Sequence, residues 1–167
     1  LAFKLKNLRH TVEITPLIRI KKVKSSKDIN FDDFDAVIFT SKNGIKYFEG
    51  NSLKKKPVFT VGEGTHNEAK EKGYSNIKNT DGDATNLINY IKKKFYKKEI
   101  NLLHVTSLQP NKSFVGSFNH TNINYKTLSV YESRKIDFFK LKIERFLIQN
   151  RGVLTFFSSK PQNHFLI

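Results

Sequence analysis

The chain has 167 residues, 38% hydrophobic and 13% aromatic, with 15 Phe; its 30 Lys and Arg against 15 Asp and Glu leave a formal net charge of +15. That length fits one ordinary domain or two small ones, and the absence of Cys excludes disulfides, thiolate metal sites and a Cys nucleophile. No apolar run approaches the roughly 20 residues of a membrane span. The start, Leu1-Ala-Phe-Lys-Leu-Lys-Asn-Leu-Arg9, has no uninterrupted apolar stretch of the kind a secretory signal carries. A cytoplasmic protein with no membrane partner is therefore expected. Met is absent too, so residues before Leu1 and omitted modified methionines are both expected.

In chain order, Leu1–Leu8 reads as the remnant of a helix and Pro16–Ile20 alternates as a strand. Lys21–Lys27 is polar and reads as a linker. Asp35–Thr40 is the first clear strand, followed by a helix around Gly44–Phe48. Pro57–Val61 is the next strand, ending at Gly62-Glu-Gly-Thr65. Thr65 is the expected N-cap and Gly73 the expected C-cap of a helix over His66–Lys72. Ser75–Lys78 reads as a short strand. Gly82-Asp-Ala-Thr85 then starts an amphipathic helix whose apolar face is Leu87, Ile88, Ile91 and Phe95. Ile100–Val105 is another buried strand, closed by Thr106-Ser107, and Leu108–Phe118 holds a short helix or a gap. Tyr125–Tyr131 alternates as a strand leading into Glu132–Lys135, and Phe138–Gln149 has helical spacing.

One unit occurs twice. Ala36-Val-Ile-Phe-Thr-Ser-Lys-Asn-Gly-Ile-Lys-Tyr-Phe48 and Gly152-Val-Leu-Thr-Phe-Phe-Ser-Ser-Lys-Pro-Gln-Asn-His-Phe-Leu166 are each an apolar run, a Ser-containing turn and a helix start. A buried parallel strand feeding a helix has this form, because both of its faces are covered. The fold class is α/β with mainly parallel sheets. Val23–Ser129 holds enough units for one small domain. The strands at Pro16–Ile20 and Val153–Phe157 are expected to pair in a second, discontinuous one.

Hydroxyls and helix-start amides at the carboxyl ends of parallel strands face the crevice where α/β proteins bind ligands. Four strand-end turns meet that description: Thr40-Ser-Lys-Asn-Gly44, Gly62-Glu-Gly-Thr65, Thr106-Ser107 and Ser158-Ser-Lys160. The helix start Gly82–Thr85 is a fifth. Each, taken alone, is also an ordinary cap or turn. Gly62-x-Gly64 lacks the third glycine of a dinucleotide fingerprint, so no such cofactor is expected. The basic charge fits a polyanionic partner. Nucleic acid is disfavoured because the lysines are scattered and no nucleic-acid motif is present. No His pair has metal-ligand spacing, and His104, inside an apolar strand, reads as a satisfied core residue.

In order, Asp35-Ala-Val-Ile-Phe-Thr-Ser-Lys-Asn-Gly-Ile45, Val58-Phe-Thr-Val-Gly-Glu-Gly-Thr65, Gly82-Asp-Ala-Thr-Asn-Leu87, Leu102-Leu-His-Val-Thr-Ser107, Val130-Tyr-Glu-Ser133 and Thr155-Phe-Phe-Ser-Ser159 resemble the uroporphyrinogen-III synthase family. The resemblance implies two α/β lobes around a cleft, here residues 1–21 with 132–167 and residues 22–131. It implies a monomeric, cofactor-free and metal-free lyase of heme biosynthesis. Such an enzyme dehydrates and cyclises the linear tetrapyrrole hydroxymethylbilane with inversion of ring D. The resemblance assigns Tyr131 as the catalytic residue. It assigns Ser41, Lys42, Asn43, Gly44, Gly62, Gly64, Thr65, Ala84, Thr106, Ser107, Ser158 and Ser159 to substrate binding. The family's first strand with its Arg-Pro turn, and its last strand–Gly–Thr-Thr–helix unit, have no counterpart in these residues. The missing pieces are expected before Leu1 and after Ile167. A non-enzymatic bilobed module for a polyanionic ligand is the alternative.

Overall fold

The fold was described from a computed structural model, which covers residues 2–24, 29–80, 82–136, 139–149 and Thr155. The chain divides into two units, Leu1–Arg19 with Arg134–Ile167, and Ile20–Ser133. In the first, helices α1 (Ala2–Asn7) and α5 (Phe139–Gln149) match the helical stretches read from the sequence. The Ile136 N–H donates to the Leu17 carbonyl at 3.1 Å. The second copy of the strand–turn–helix unit, with Ser158 and Ser159, lies outside the described residues apart from Thr155.

The second unit is built on parallel strands. Strands β1 (Ile18–Lys22), β2 (Ala36–Phe39), β3 (Val58–Val61), β4 (Ile77–Thr80), β5 (Ile100–Ser107) and β6 (Ile123–Lys135) form a sheet in the order β1-β6-β5-β2-β3-β4. The pairs β2–β3, β3–β4, β2–β5 and β5–β6 are all parallel. From β2 the chain winds outward through β3 to β4, then crosses back and winds the other way through β5 to β6. The reversal falls between β2 and β5, and in doubly wound sheets a crevice opens at that switch point, beyond the strands' carboxyl ends.

Every residue of β2 is buried, as expected for a strand covered on both faces. Val37 and Phe39 face a core shared with Ile45 of helix α2 (Lys42–Tyr47), with Ala69 of α3 (Glu63–Glu71), and with Leu103 and Val105. Ala36 and Ile38 face the other core, with Ala84, Leu87, Ile88 and Ile91 of α4 (Ala84–Lys94) and with Leu102, Phe114 and Phe118. Helices therefore cover both faces of the sheet. Leu87 and Ile91 are fully buried, each contributing about 1.5–3 kcal/mol by transfer from water. The last turn of α4 carries Lys92, Lys93 and Lys94, where cations complement the helix dipole.

Several boundaries differ from the sequence reading. Helix α3 starts at Glu63 with Gly62 as N-cap, so Thr65 is a buried first-turn residue and not the cap. A glycine at φ +78° makes the turn one step after the strand, and the helix begins before any hydroxyl is reached. The C-cap is Lys72, with Gly73 one residue beyond at φ +85°. Strand β5 continues through Thr106 and Ser107, because β6 pairs with it along that whole length. Lys21 and Lys22 belong to β1 and not to a linker. Within 108–118 a short 3-10 turn, Lys112–Phe114, buries Phe114.

Candidate functional site

The carboxyl ends of β2, β3 and β5 bring together most of the residues singled out above. At the end of β2, Ser41 caps α2, its hydroxyl accepting from the Asn43 N–H at 3.2 Å. Gly44 is buried where α2 meets β5. A Cβ there would lie 3.0 Å from the Val105 carbonyl oxygen, so glycine lets the helix sit this close without crowding the strand. The Ser41–Gly44 turn is thereby fixed over the switch point.

At the end of β3, Gly62 gives α3 no side-chain cap. The first N–H groups of a helix without such a cap carry the positive end of its dipole into solvent. Lys42 reaches across from α2 to this place: a Cβ on Gly64 would meet Lys42 Cε at 2.8 Å and Nζ at 3.3 Å. The bare backbone at Gly64 lets the end of this lysine lie against it, and an added side chain would displace that end. Among the described residues no carboxylate pairs with Lys42. An ammonium ion and an uncapped helix start are both positive and repel each other, and an anion between them removes that repulsion. Lys42 and the Gly62–Gly64 turn thus place two positive features side by side on the rim.

The other turns contribute differently. At α4, the Asp83 carboxylate accepts from the N–H groups of Thr85 (2.8 Å) and Asn86 (3.1 Å), so this helix start is satisfied internally, and Ala84 is buried. Thr106 and Ser107 are buried at the end of β5; Ser107 donates to the Gln109 carbonyl at 2.6 Å, and Ser129 donates to the Ser107 carbonyl at 3.2 Å.

Tyr131 owes its position to a break in the β5–β6 ladder. Thr106 faces Ser129 but Ser107 faces Tyr131, so Val130 is an extra residue in β6. A bulge of this kind turns the following side chain. Val130 and Tyr131, though consecutive, both join the core on the α2 side. The Tyr131 ring lies 6.4 Å from that of Tyr47 at the end of α2, and the residue is 8% exposed. No sequence signal marks the bulge, and strict alternation would send one of these two side chains to the other face.

Behind the rim lies a chain of polar groups. His104, fully buried, meets Thr40 Oγ1 through Nε2 at 3.2 Å and the Tyr125 hydroxyl through Nδ1 at 2.6 Å. Burial lowers its pKa from 6.5 to about 4 and pushes the Tyr125 phenol up. Both groups are therefore uncharged at neutral pH. The satisfied core histidine read from the sequence is present, but Thr40 at the strand end and its link to Tyr125 were not foreseen. Among the described residues His66 Nδ1 is a buried side-chain nitrogen with no partner. A cavity of about 110 Å³ lined by Asp33, Phe34, Asn101, Asn124 and Lys126 lies near the opposite, amino-terminal edge of the strands, and it is too small for a tetrapyrrole.

The family model described as Uroporphyrinogen-III synthase HemD matches residues 1–166. The chain belongs to the uroporphyrinogen-III synthase family. No curated protein matches it. Two solved structures share the fold. One is uroporphyrinogen-III synthetase from Helicobacter pylori, with TM-score 0.53 and 17% identity, covering 81% of this chain and 64% of that one. The other is a mutant uroporphyrinogen III synthase from Thermus thermophilus, with TM-score 0.60 and 13% identity, covering 87% and 62%. The chain thus spans less than two thirds of the length of either family member. Among the described residues no group of three or more His, Cys, Asp or Glu could hold a metal, and no helix is long and apolar enough to cross a membrane.

Proposed function

We propose that this chain carries the synthase activity of its family, converting hydroxymethylbilane to uroporphyrinogen III and water as a monomer in the cytoplasm. The observation that carries this reading is the family match over residues 1–166. The rim supports it: a substrate with eight carboxylates suits a helix start without a side-chain cap beside the Lys42 ammonium. The net charge of +15 favours the approach of such a polyanion.

In the proposed reaction the terminal hydroxyl leaves ring A's methylene as water once protonated, giving an azafulvene. The substituted carbon of ring D attacks that methylene and forms a spiro intermediate. The intermediate fragments and recloses through ring D's free carbon, which sheds a proton. Tyr131 is the proposed acid, and the proton released at closure restores its phenol. Head-to-tail closure without inversion needs no enzyme, so the protein's task is to hold the chain in the folded arrangement and stabilise developing charge. Ser41, Asn43, Gly62, Gly64, Thr65, Thr106 and Ser107 form the proposed binding edge, with Lys42 as its cation; Gly44 and Ala84 hold helix starts in place.

The rate of hydroxymethylbilane consumption tests this. The chain should consume it well above the enzyme-free rate. Lys42→Gln should raise KM roughly tenfold, the scale of one lost charge-assisted hydrogen bond, with kcat little changed. Consumption at the enzyme-free rate would refute the proposal.

A further inference from the structure

Thr40, His104 and Tyr125 form a diagonal across three neighbouring strands. Tyr125 of β6 pairs with Leu102 of β5, two residues before His104, and His104 pairs with Ile38 of β2, two residues before Thr40. All three therefore lie on the α4 side of the sheet, each step climbing toward the strands' carboxyl ends. Phe114 closes the diagonal from above, its ring 4.4 Å from His104 and nearly parallel to Tyr125 at 6.2 Å. Both Tyr125 and Thr40 are half-buried, Tyr125 near the start of β6 and Thr40 just past the carboxyl end of β2.

A neutral imidazole has one donor and one acceptor nitrogen. If Nδ1 carried the proton, it would donate to Tyr125. The phenol's own hydrogen would then have no acceptor among the described residues, and Thr40 would donate inward to Nε2. With the proton on Nε2, Tyr125 donates to Nδ1 and Nε2 donates to Thr40 Oγ1, and the one hydrogen left without a partner among the described residues is that of Thr40 at the strand end. The second arrangement places the unpartnered hydrogen at the crevice end of the chain and not on the phenol, whose ring packs against Phe114 and Phe118. It also uses one Thr40 lone pair and leaves its O–H free to turn outward.

We infer that Tyr125 and His104 are positioning residues that fix the hydrogen-bond polarity of Thr40, making its hydroxyl a donor to an anionic oxygen in the crevice between β2 and β5. The opposite polarity would present lone pairs to that oxygen and repel it. The inference rests on the proposed function for the identity of the anion, a substrate carboxylate. The polarity itself rests on geometry alone.

Two measurements on the full chain test it. Long-range proton–nitrogen NMR of the His104 ring at pH 7 should find the proton on Nε2, with Tyr125→Phe admitting the Nδ1-protonated form. In kinetics with hydroxymethylbilane, Tyr125→Phe and Thr40→Val should each raise KM, by roughly tenfold for Thr40→Val. The double variant should be no worse than Thr40→Val, and Thr40→Ser should restore most of the affinity. An Nδ1 proton in the unaltered chain would overturn the inference, as would additive effects in the double variant. If the chain does not consume hydroxymethylbilane, the functional reading fails separately. Titration of the same variants with uroporphyrin, an octacarboxylate, then decides: weaker binding by Thr40→Val supports the donor role, and equal binding overturns it.

Discussion

His104 shows how one buried polar residue ties stability to pH. Its folded pKa of about 4 lies below the ordinary imidazole value of 6.5, so between these values the unfolded chain binds the extra proton and the folded chain does not. The contribution is fully present above about pH 6.5 and is lost as the pH falls toward 4, by as much as about 3 kcal/mol. In urea titrations the unaltered chain should therefore lose more stability between pH 7 and pH 4.5 than His104→Gln does. Parallel pH curves for the two would show that the imidazole is not held neutral. From the sequence, the apolar neighbours of His104 already placed it in the core. Its partners were not legible, because Thr40 and Tyr125 come from strands 64 residues before and 21 after it.

Tyr131 belongs to the same scale. Tyr131→Phe keeps the ring against Tyr47 and removes only the hydroxyl. The predicted outcome is a fall of at least tenfold in turnover with an unchanged denaturation midpoint, on the scale of a positioned acid. A loss of stability with near-native turnover would make it a packing residue.

Among elements, the docking of α2 on β5 decides where the Ser41–Gly44 turn sits. Two effects oppose each other in Gly44→Ala. Helix propensity favours alanine by about 1 kcal/mol, while the added methyl meets the Val105 carbonyl oxygen at 3.0 Å. That oxygen belongs to a strand hydrogen-bonded on both sides and cannot give way as a side-chain end would. Overpacking costs about 1–3 kcal/mol and should win, so the variant is predicted to be destabilised by about 1 kcal/mol in urea unfolding. A stabilised variant would mean that α2 moves freely. The strands and helices themselves were legible, since Ala36–Phe39 and Leu87–Ile91 carry their burial in their apolar spacing. Cap positions and the bulge at Val130 were less so. Gly62 starts α3 before Thr65 because of a positive φ, and the bulge depends on how β6 registers with β5.

At the scale of the whole molecule, the α/β class followed from the alternation of strand and helix, but the strand order did not. The crossing from β4 back to β5 creates the switch point, and only the tertiary pairing records it. Once that order is known, the separate turns at Ser41, Gly62 and Ser107 become neighbours along one edge. In the sequence, Lys42 is one residue of a turn that the family resemblance assigns to substrate binding. Its reach to Gly64 makes it the link between two strand ends. The central claim is that this edge belongs to an enzyme that inverts ring D. Analysis of the isomers formed from hydroxymethylbilane tests it most directly. The account predicts mainly uroporphyrinogen III; only the uninverted type I isomer, in the amount formed without protein, would contradict it.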